Sequence, residues 1–397
     1  MNILLANLTK MVDDSGGMAK VTCEFANEMQ RRGHHVSLVY SDVKQGNFYY
    51  PLHEEIPAID IRHFKGQSIS YPWYLKVKRE LYRTFNKQKA RTVNNDFAEN
   101  YLLKNLQETL QDCQPDIIVS FQPAASKMLL CDLKTTIPVI TMSHGDPEDY
   151  FHFYPKAEIP ALEKSAVCQV LLPSFAQHLK NHLPNVKTVV IGNAIPQYDV
   201  KADLTAKKDT YKIIFVGRLS KNHKRPHLLI EAFAGLADAF SNWNVELWGA
   251  EDGKAYYKEL QLLIKAKHLE HRVFLKGTTN NVAEVLQQGD IFAFPSAYEG
   301  FGMSLGEAMS MGLPAIGYKH CSAVNELIED GKNGYLCEDG IEDLANKLAL
   351  LMKQQDMRVQ MGAAARESMK QYATEAIWNQ WEKLMDIVKG AVKNDFT

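Results

Sequence analysis

The hydrophobic positions of this chain fall into short continuous runs separated by stretches with a helical period. Asn2–Ala6, His35–Tyr40, Asp116–Ser120, Ile137–Met142 and Val167–Pro173 are such runs in the first half. A strand apolar on both faces is one that helices cover on both sides, so the runs predict a parallel sheet. Between the first two, Val21, Phe25, Ala26 and Met29 recur at helical spacing. They predict a helix over Met18–Arg32, with Gly33 where a C-cap belongs. A polar, lysine-rich stretch without periodicity, Asn193–Tyr211, reads as a connection. The pattern then restarts, with strands over Lys212–Val216, Val245–Trp248, Val273–Lys276, Ile291–Phe294 and Pro314–Gly317. Amphipathic helices such as His227–Ala239 and Ala255–Lys267 lie between them. The last segment, Tyr372–Val392, reads as helical, with Trp378 and Trp381 three residues apart on one face that packs against protein. The expectation is an α/β chain of two Rossmann-like lobes, 1–195 and 196–371, followed by a C-terminal helical segment, 372–397.

A length of 397 residues suits two such domains. A formal net charge of −2 gives no global electrostatic case for nucleic acid. The six cysteines form no CxxC pair and no zinc-type spacing with histidine, which suits free thiols in a reducing compartment. Met1 runs straight into an apolar strand, with no secretory signal pattern, and no apolar run approaches the ~18 residues that span a membrane. These features lead us to expect a cytoplasmic protein. One segment departs from the even charge distribution. Asp60–Val93 interleaves Arg62, Lys65, Lys76, Lys78, Arg79, Arg83 and further cations with Tyr71, Trp73, Tyr74, Tyr82 and Phe85. It reads either as a surface for anionic lipid headgroups or a phosphate-bearing acceptor, or as a solvated helix with a few buried aromatics.

The sharpest chemical signal is Ser296-Ala297-Tyr298-Glu299-Gly300-Phe301-Gly302-Met303-Ser304-Leu305-Gly306-Glu307. An apolar strand leads into a glycine-rich turn that opens a helix near Met303. The glycines admit close approach to the backbone, and unpaired amides at the helix start suit a diphosphate. Glu299 before the turn and Glu307 inside the helix can bracket a nucleoside diphosphate; alternatively they are two solvated glutamates. A second signal is Gly217-Arg218-Leu219-Ser220 with Lys224, where two cations follow the end of a strand, the edge at which open α/β sheets bind ligands. They fit a leaving diphosphate or, equally, the surface of a lysine-rich loop. Gly16-Gly17 before the first helix is a weak phosphate-turn signal, more plainly a tight turn. Ser143-His144-Gly145 follows a strand and could face a sugar, although a lone histidine is more often structural. Asp146-Pro147-Glu148-Asp149 reads as a polar loop rather than a metal site.

Together these residues resemble the retaining GT-B glycosyltransferases of family 4. The family's paired glutamates with seven residues between them correspond to Glu299 and Glu307, followed by Ala308-Met309, with Met303 in place of the usual leucine. Its G-R-L with a downstream lysine corresponds to Gly217-Arg218-Leu219, Lys224 and Leu228-Leu229-Ile230-Glu231-Ala232. Lys224 is followed by Arg225 rather than the common glycine. The resemblance covers the whole chain and is most specific in the second lobe.

The resemblance implies two lobes facing a central cleft and a final helix crossing back onto the first lobe. It implies that Gly217, Arg218, Lys224 and the amides around Gly302, Met303 and Ser304 bind the donor diphosphate, with Gly17 approaching it from the other lobe. Glu307 would hold the ribose, Glu299 would touch the transferred sugar, and His144 would sit beside it. The implied partners are a nucleotide-sugar donor, by default a UDP-sugar, and a glycan or lipid-linked acceptor in cell-envelope polysaccharide synthesis. No cofactor is expected, and fixed cations would replace a metal. Residues 62–91 would make any peripheral contact with the anionic inner face of a cytoplasmic membrane. A GDP-mannose-dependent mannosyltransferase, a nucleotide-sugar 2-epimerase and a catalytically silent scaffold are the competing readings.

Overall fold

A computed structural model describes residues 1–14 and 16–394. Ser15 of the glycine-bearing loop and the last three residues of the C-terminal segment lie outside the described residues. The chain divides into two units: Met1–Ile191 together with the chain from Trp378 on, and Gly192–Ile377.

The apolar runs of the first unit form a parallel sheet in the order Ala58–Asp60, His35–Tyr40, Asn2–Asn7, Ile117–Ser120, Val139–Met142, Val167–Val170, Thr188–Val190. The strand order reverses between Asn2–Asn7 and Ile117–Ser120. Loops leaving the carboxyl ends of those two strands diverge there and open a crevice. The first helix, Gly17–Arg31, buries Cys23, Phe25, Ala26 and Met29 on one stripe. Phe25 then meets the edges of Trp378 and Trp381, with ring centroids 5.3 and 4.9 Å away. Those indoles belong to the last helix, Thr374–Asn394. Lys389 pairs with Asp116 at 2.8 Å, and Glu382 takes His34 at 3.0 Å and Arg32. The helix therefore returns to the first unit through aromatic packing and three ion pairs.

The basic aromatic segment is more structured than a single solvated helix. It holds a short hairpin, His63–Phe64 with Gln67–Ser68, and the helices Trp73–Phe85 and Lys87–Phe97. Arg62 is buried and donates from Nε to the Ile69 carbonyl at 3.0 Å, with its guanidinium over the Phe97 ring. Asp146 and Glu148 also depart from the polar-loop expectation. Glu148–Phe153 is a helix, and Asp146 Oδ1 accepts from the Glu148 amide at 3.0 Å and faces His178 Nδ1 at 2.8 Å.

The second unit carries a parallel sheet in the order Val273–Gly277, Trp243–Trp248, Tyr211–Val216, Ile291–Phe294, Ala315–Tyr318, Gly334–Cys337. Its order reverses between Tyr211–Val216 and Ile291–Phe294, the two strands that precede the Gly217 and Ser296–Gly302 loops. The stretch after Asn193 is packed rather than loose. Ile195 and Ala202 are buried, and the Ile195 amide donates to the Tyr372 carbonyl at 2.8 Å. Tyr372 is not part of the final helix; it closes a short 3-10 turn, Lys370–Tyr372, and its ring meets Phe301 edge-on. The helix expected to reach Ala239 ends at Ala234, with Gly235 as its C-cap. Among the described residues no helix is long and apolar enough to cross a membrane.

Candidate active site

Gly217 is the first residue beyond Tyr211–Val216, and its amide donates to the Trp248 carbonyl at 2.9 Å. The neighbouring strand reaches the same point at Gly249, where a Cβ would lie 2.0 Å from the Gly217 carbonyl oxygen. Gly249 thus lets two strand ends converge, a requirement set by tertiary approach and missed in the sequence. Arg218 follows, exposed; its carbonyl accepts from the Ser220 amide at 2.8 Å, and its guanidinium has no ion-pair or hydrogen-bond partner among the described residues. The chain then turns. The Lys224 amide donates to Ser220 Oγ at 3.0 Å and the Arg225 amide to the Ser220 carbonyl at 2.9 Å.

Arg225 adopts φ +48°, a left-handed conformation that favours glycine. Its guanidinium compensates for that strain. Nε donates to the Pro295 carbonyl at 3.0 Å, NH1 pairs with Asp339 at 2.9 Å, and the group lies over the Tyr318 ring. The glycine common at this position in the resembled family is accordingly replaced by an arginine that stitches the Lys224 turn to the Pro295–Ser296 loop.

The structure brings Lys224 directly to Glu299. Nζ and Oε1 are 2.5 Å apart, and both side chains are largely buried. A Cβ on Gly217 would lie 3.6 Å from the Lys224 side chain, and Phe294 forms the floor, its ring centroid 4.6 Å from Nζ. The same ring lies beneath Gly302, which at φ +81° caps the helix Met303–Ser310. Any other L-residue would be strained in that turn. The Gly302 carbonyl accepts from the Gly306 amide, so the amides of Met303, Ser304 and Leu305 have no acceptor within the helix. Gly306, inside the glutamate motif, admits Ile195: a Cβ there would stand 2.6 Å from the Ile195 side chain. Phe301 closes the turn against Tyr372. Glu307 is buried one turn into the helix, close enough to Tyr198 that its charge adds to burial in pushing that phenol up.

His223 was not anticipated. Its ring stacks on Tyr298 at 4.2 Å, and Nε2 lies 2.8 Å from the Tyr298 carbonyl and 3.7 Å from Glu299. Burial holds this imidazole below the usual histidine range, with Glu299 opposing. One unit therefore joins Gly217, Lys224, Glu299 and the Gly302–Met303–Ser304 turn at one sheet edge, with Arg218 beside them on the same loop and Glu307 a turn further down the helix.

The other two expected residues belong to the first unit. Gly17 begins its helix, and a Cβ there would meet nothing within 4 Å, so the glycine leaves the helix start open. His144 stacks on Phe121, with centroids 5.6 Å apart, and its buried Nε2 has no hydrogen-bond partner among the described residues. Burial lowers its pKa to about 4.

With this geometry in view, the relationships of the chain are direct. The family described as Glycosyltransferase Family 4 matches residues 15–197, and that described as Glycosyl transferases group 1 matches residues 196–368. The chain belongs to these family 4, group 1 glycosyltransferases. N-acetyl-alpha-D-glucosaminyl L-malate synthase of Bacillus anthracis is 34% identical over 46% of this chain and 49% of its own length. The chain spans about half the length of the first curated relatives it matches. A diNAcBac-PP-undecaprenol glycan alpha-1,4-N-acetyl-D-galactosaminyltransferase of Campylobacter jejuni is 24% identical over 95% of this chain and 97% of its own. The Anabaena protein HepE, solved in complex with UDP, superposes with a TM-score of 0.75 at 18% identity, covering 97% of this chain and all of that one. The fold is GT-B.

The His144 environment sets a pH dependence. Its folded pKa of about 4 lies below the ~6.5 of an unfolded histidine, so the unfolded chain takes up the proton first as pH falls. Stability from this site is complete above about pH 6.5 and declines toward pH 4, by roughly 3 kcal/mol in all. Urea midpoints of His144→Phe, which keeps the stack on Phe121, should therefore fall less than wild type between pH 7 and pH 5. Identical slopes would show that His144 is not held neutral by burial.

Proposed function

We propose that the chain is a retaining hexosyltransferase that moves a hexose-type sugar from a UDP-sugar to a glycan or lipid-linked acceptor in cell-envelope polysaccharide synthesis. The observation that carries this reading is Lys224 and the open helix start at Gly302 over one aromatic floor, at the crevice where the second sheet reverses. UDP is supported by HepE, whose structure holds it, and an envelope acceptor by the undecaprenol-linked glycan that the Campylobacter relative uses.

Breaking the bond between the anomeric carbon and the diphosphate oxygen puts negative charge on the leaving UDP and positive charge on the sugar ring. Arg218, Lys224 and the Met303 and Ser304 amides oppose the first charge, and the turn and floor hold Lys224 and the helix start in place for it. Gly217 lets the diphosphate approach the strand end. Glu307 accepts from the ribose hydroxyls. Glu299, oriented by Lys224, accepts from a hydroxyl of the transferred sugar. The acceptor hydroxyl attacks from the face that the diphosphate leaves, and its proton passes to the departing phosphate, so configuration is retained.

The helix Trp73–Phe85 supports peripheral membrane contact as part of this proposal. Trp73, Val77, Leu81 and Phe85 recur every four residues and are exposed, Phe85 by 87%, with Lys76, Lys78, Arg83 and Lys87 around them. An apolar stripe edged by cations fits the interface of an anionic bilayer. Sedimentation with phosphatidylglycerol vesicles should lose most of its bound fraction in Leu81→Ser/Phe85→Ser. Equal binding by the variant would remove the helix from this role.

Arg218→Ala and Lys224→Ala should each lower turnover at saturating UDP-sugar by about a hundredfold or more, ~2.7 kcal/mol. Rates like those of wild type would refute the donor site.

A further inference from the structure

The first unit contains a cavity of about 770 Å³ that the donor chemistry does not use. It opens where the first sheet reverses: Leu8 and Thr9 beyond Asn2–Asn7, and Gln122 beyond Ile117–Ser120, form one side. The basic aromatic segment forms the other. Among the described lining residues, five are cations, Arg62, Lys76, Arg79, Arg91 and Lys127, while Glu158 is the one acid.

The cations are not equivalent. Lys127 is taken up by Asp132 at 2.8 Å and Glu99 at 3.0 Å, and Arg62 is buried against the Ile69 carbonyl. Arg79 forks onto exposed Glu80, a contact that solvent screens and a ligand can displace. Arg91 donates from Nη1 to the Phe153 carbonyl at 3.0 Å and stacks over Tyr154 at 3.9 Å, with no carboxylate bonded to its guanidinium among the described residues. Lys76 is exposed and has no partner among the described residues. Three cations are thus available on the wall that carries the segment.

Deeper in, the cavity presents acceptors instead. Glu158 is 2% exposed; its Oε1 accepts from Asn95 Nδ2 at 2.6 Å, and its Oε2 is buried without a partner. Gln122 donates to Asn7 at 3.2 Å, and its buried Oε1 likewise has no partner. A buried acceptor without a donor is destabilising, and a ligand hydroxyl removes that cost. Two orphan acceptors and three cations together describe a ligand that carries both hydroxyl groups and a phosphate.

We propose that this cavity binds the acceptor through a phosphate-bearing polyol end, with Lys76, Arg79 and Arg91 on the phosphate and Glu158 and Gln122 on the hydroxyls. This rests on the proposed reading of the chain as a glycosyltransferase and adds to it that the first unit holds the acceptor. A polyol phosphate can arrive on a lipid or as a free chain, and the cavity chemistry is the same for both.

The full chain carrying Arg218→Ala, with its donor cation site weakened, is titrated with sn-glycerol 3-phosphate, glycerol and inorganic phosphate by calorimetry. Glycerol 3-phosphate should bind best of the three. Lys76→Gln, an exposed change that leaves the fold alone, should weaken it severalfold, and Arg79→Gln/Arg91→Gln tenfold or more. Glu158→Gln should abolish the advantage of glycerol 3-phosphate over inorganic phosphate while leaving phosphate binding in place. Displacement of the probe by phosphatidylglycerol vesicles identifies a lipid source, and displacement by a soluble poly(glycerol phosphate) a free chain; either supports the site. Absence of glycerol 3-phosphate binding, or binding unchanged by Arg79→Gln/Arg91→Gln and Lys76→Gln, overturns it. If wild type transfers sugar but the probe does not bind, only the cavity assignment falls. If the probe binds as described but no UDP-sugar is turned over, the enzymatic reading falls and the cavity stands as a polyol phosphate site.

Discussion

Lys224 and Glu299 meet 2.5 Å apart at the edge where the second sheet reverses direction, and the surrounding structure is arranged to hold that pair. Two largely buried opposite charges are stable only where their geometry is fixed and their remaining polar atoms have somewhere to go. Here the fixing is done from both sides. Arg225 accepts a strained backbone to tie the lysine turn to the Pro295–Ser296 loop, while Phe294 supports both Lys224 and the Gly302 turn. The Lys224 cation and the amides that open the Gly302 helix are thus carried by one sheet edge over one aromatic floor, the arrangement on which the proposed stabilisation of a leaving diphosphate rests.

Both sheets reverse their strand order at the strand that opens the unit, so each unit has one crevice at its carboxyl edge. In the second unit the crevice carries Lys224, Glu299 and a helix start. In the first it carries a cavity with cations on one wall and unpartnered acceptors deeper in. The same topological rule thus yields two sites of different chemistry, one suited to a nucleoside diphosphate and the other to a phosphorylated polyol.

Much of this was legible in the chain because buried parallel strands announce themselves as apolar runs. His35–Tyr40 and Ile291–Phe294 have the expected bounds, and the other internal strands differ by a few residues at their ends. The edge strands Ala58–Asp60, Thr188–Val190 and Gly334–Cys337 were not visible, since short segments of mixed polarity become strands only when a distant partner supplies the ladder. Lys224 and Glu299 were legible as separate signals, but their direct pairing was not. His223 and Gly249 carry no local signature; one owes its place to Tyr298, the other to the approach of Gly217. Arg225 is visible in sequence only as the residue in place of the common glycine after Lys224; the contacts that hold its left-handed backbone come from the Pro295–Ser296 loop.

The central claim is that the helix beginning at Gly302 receives the diphosphate of the donor. It is tested most directly by following backbone amide resonances of the labelled full chain during a titration with UDP. The account predicts that Met303 and Ser304 shift saturably and together, at the concentration that saturates the protein. Binding of UDP that leaves these two amides unmoved would contradict it.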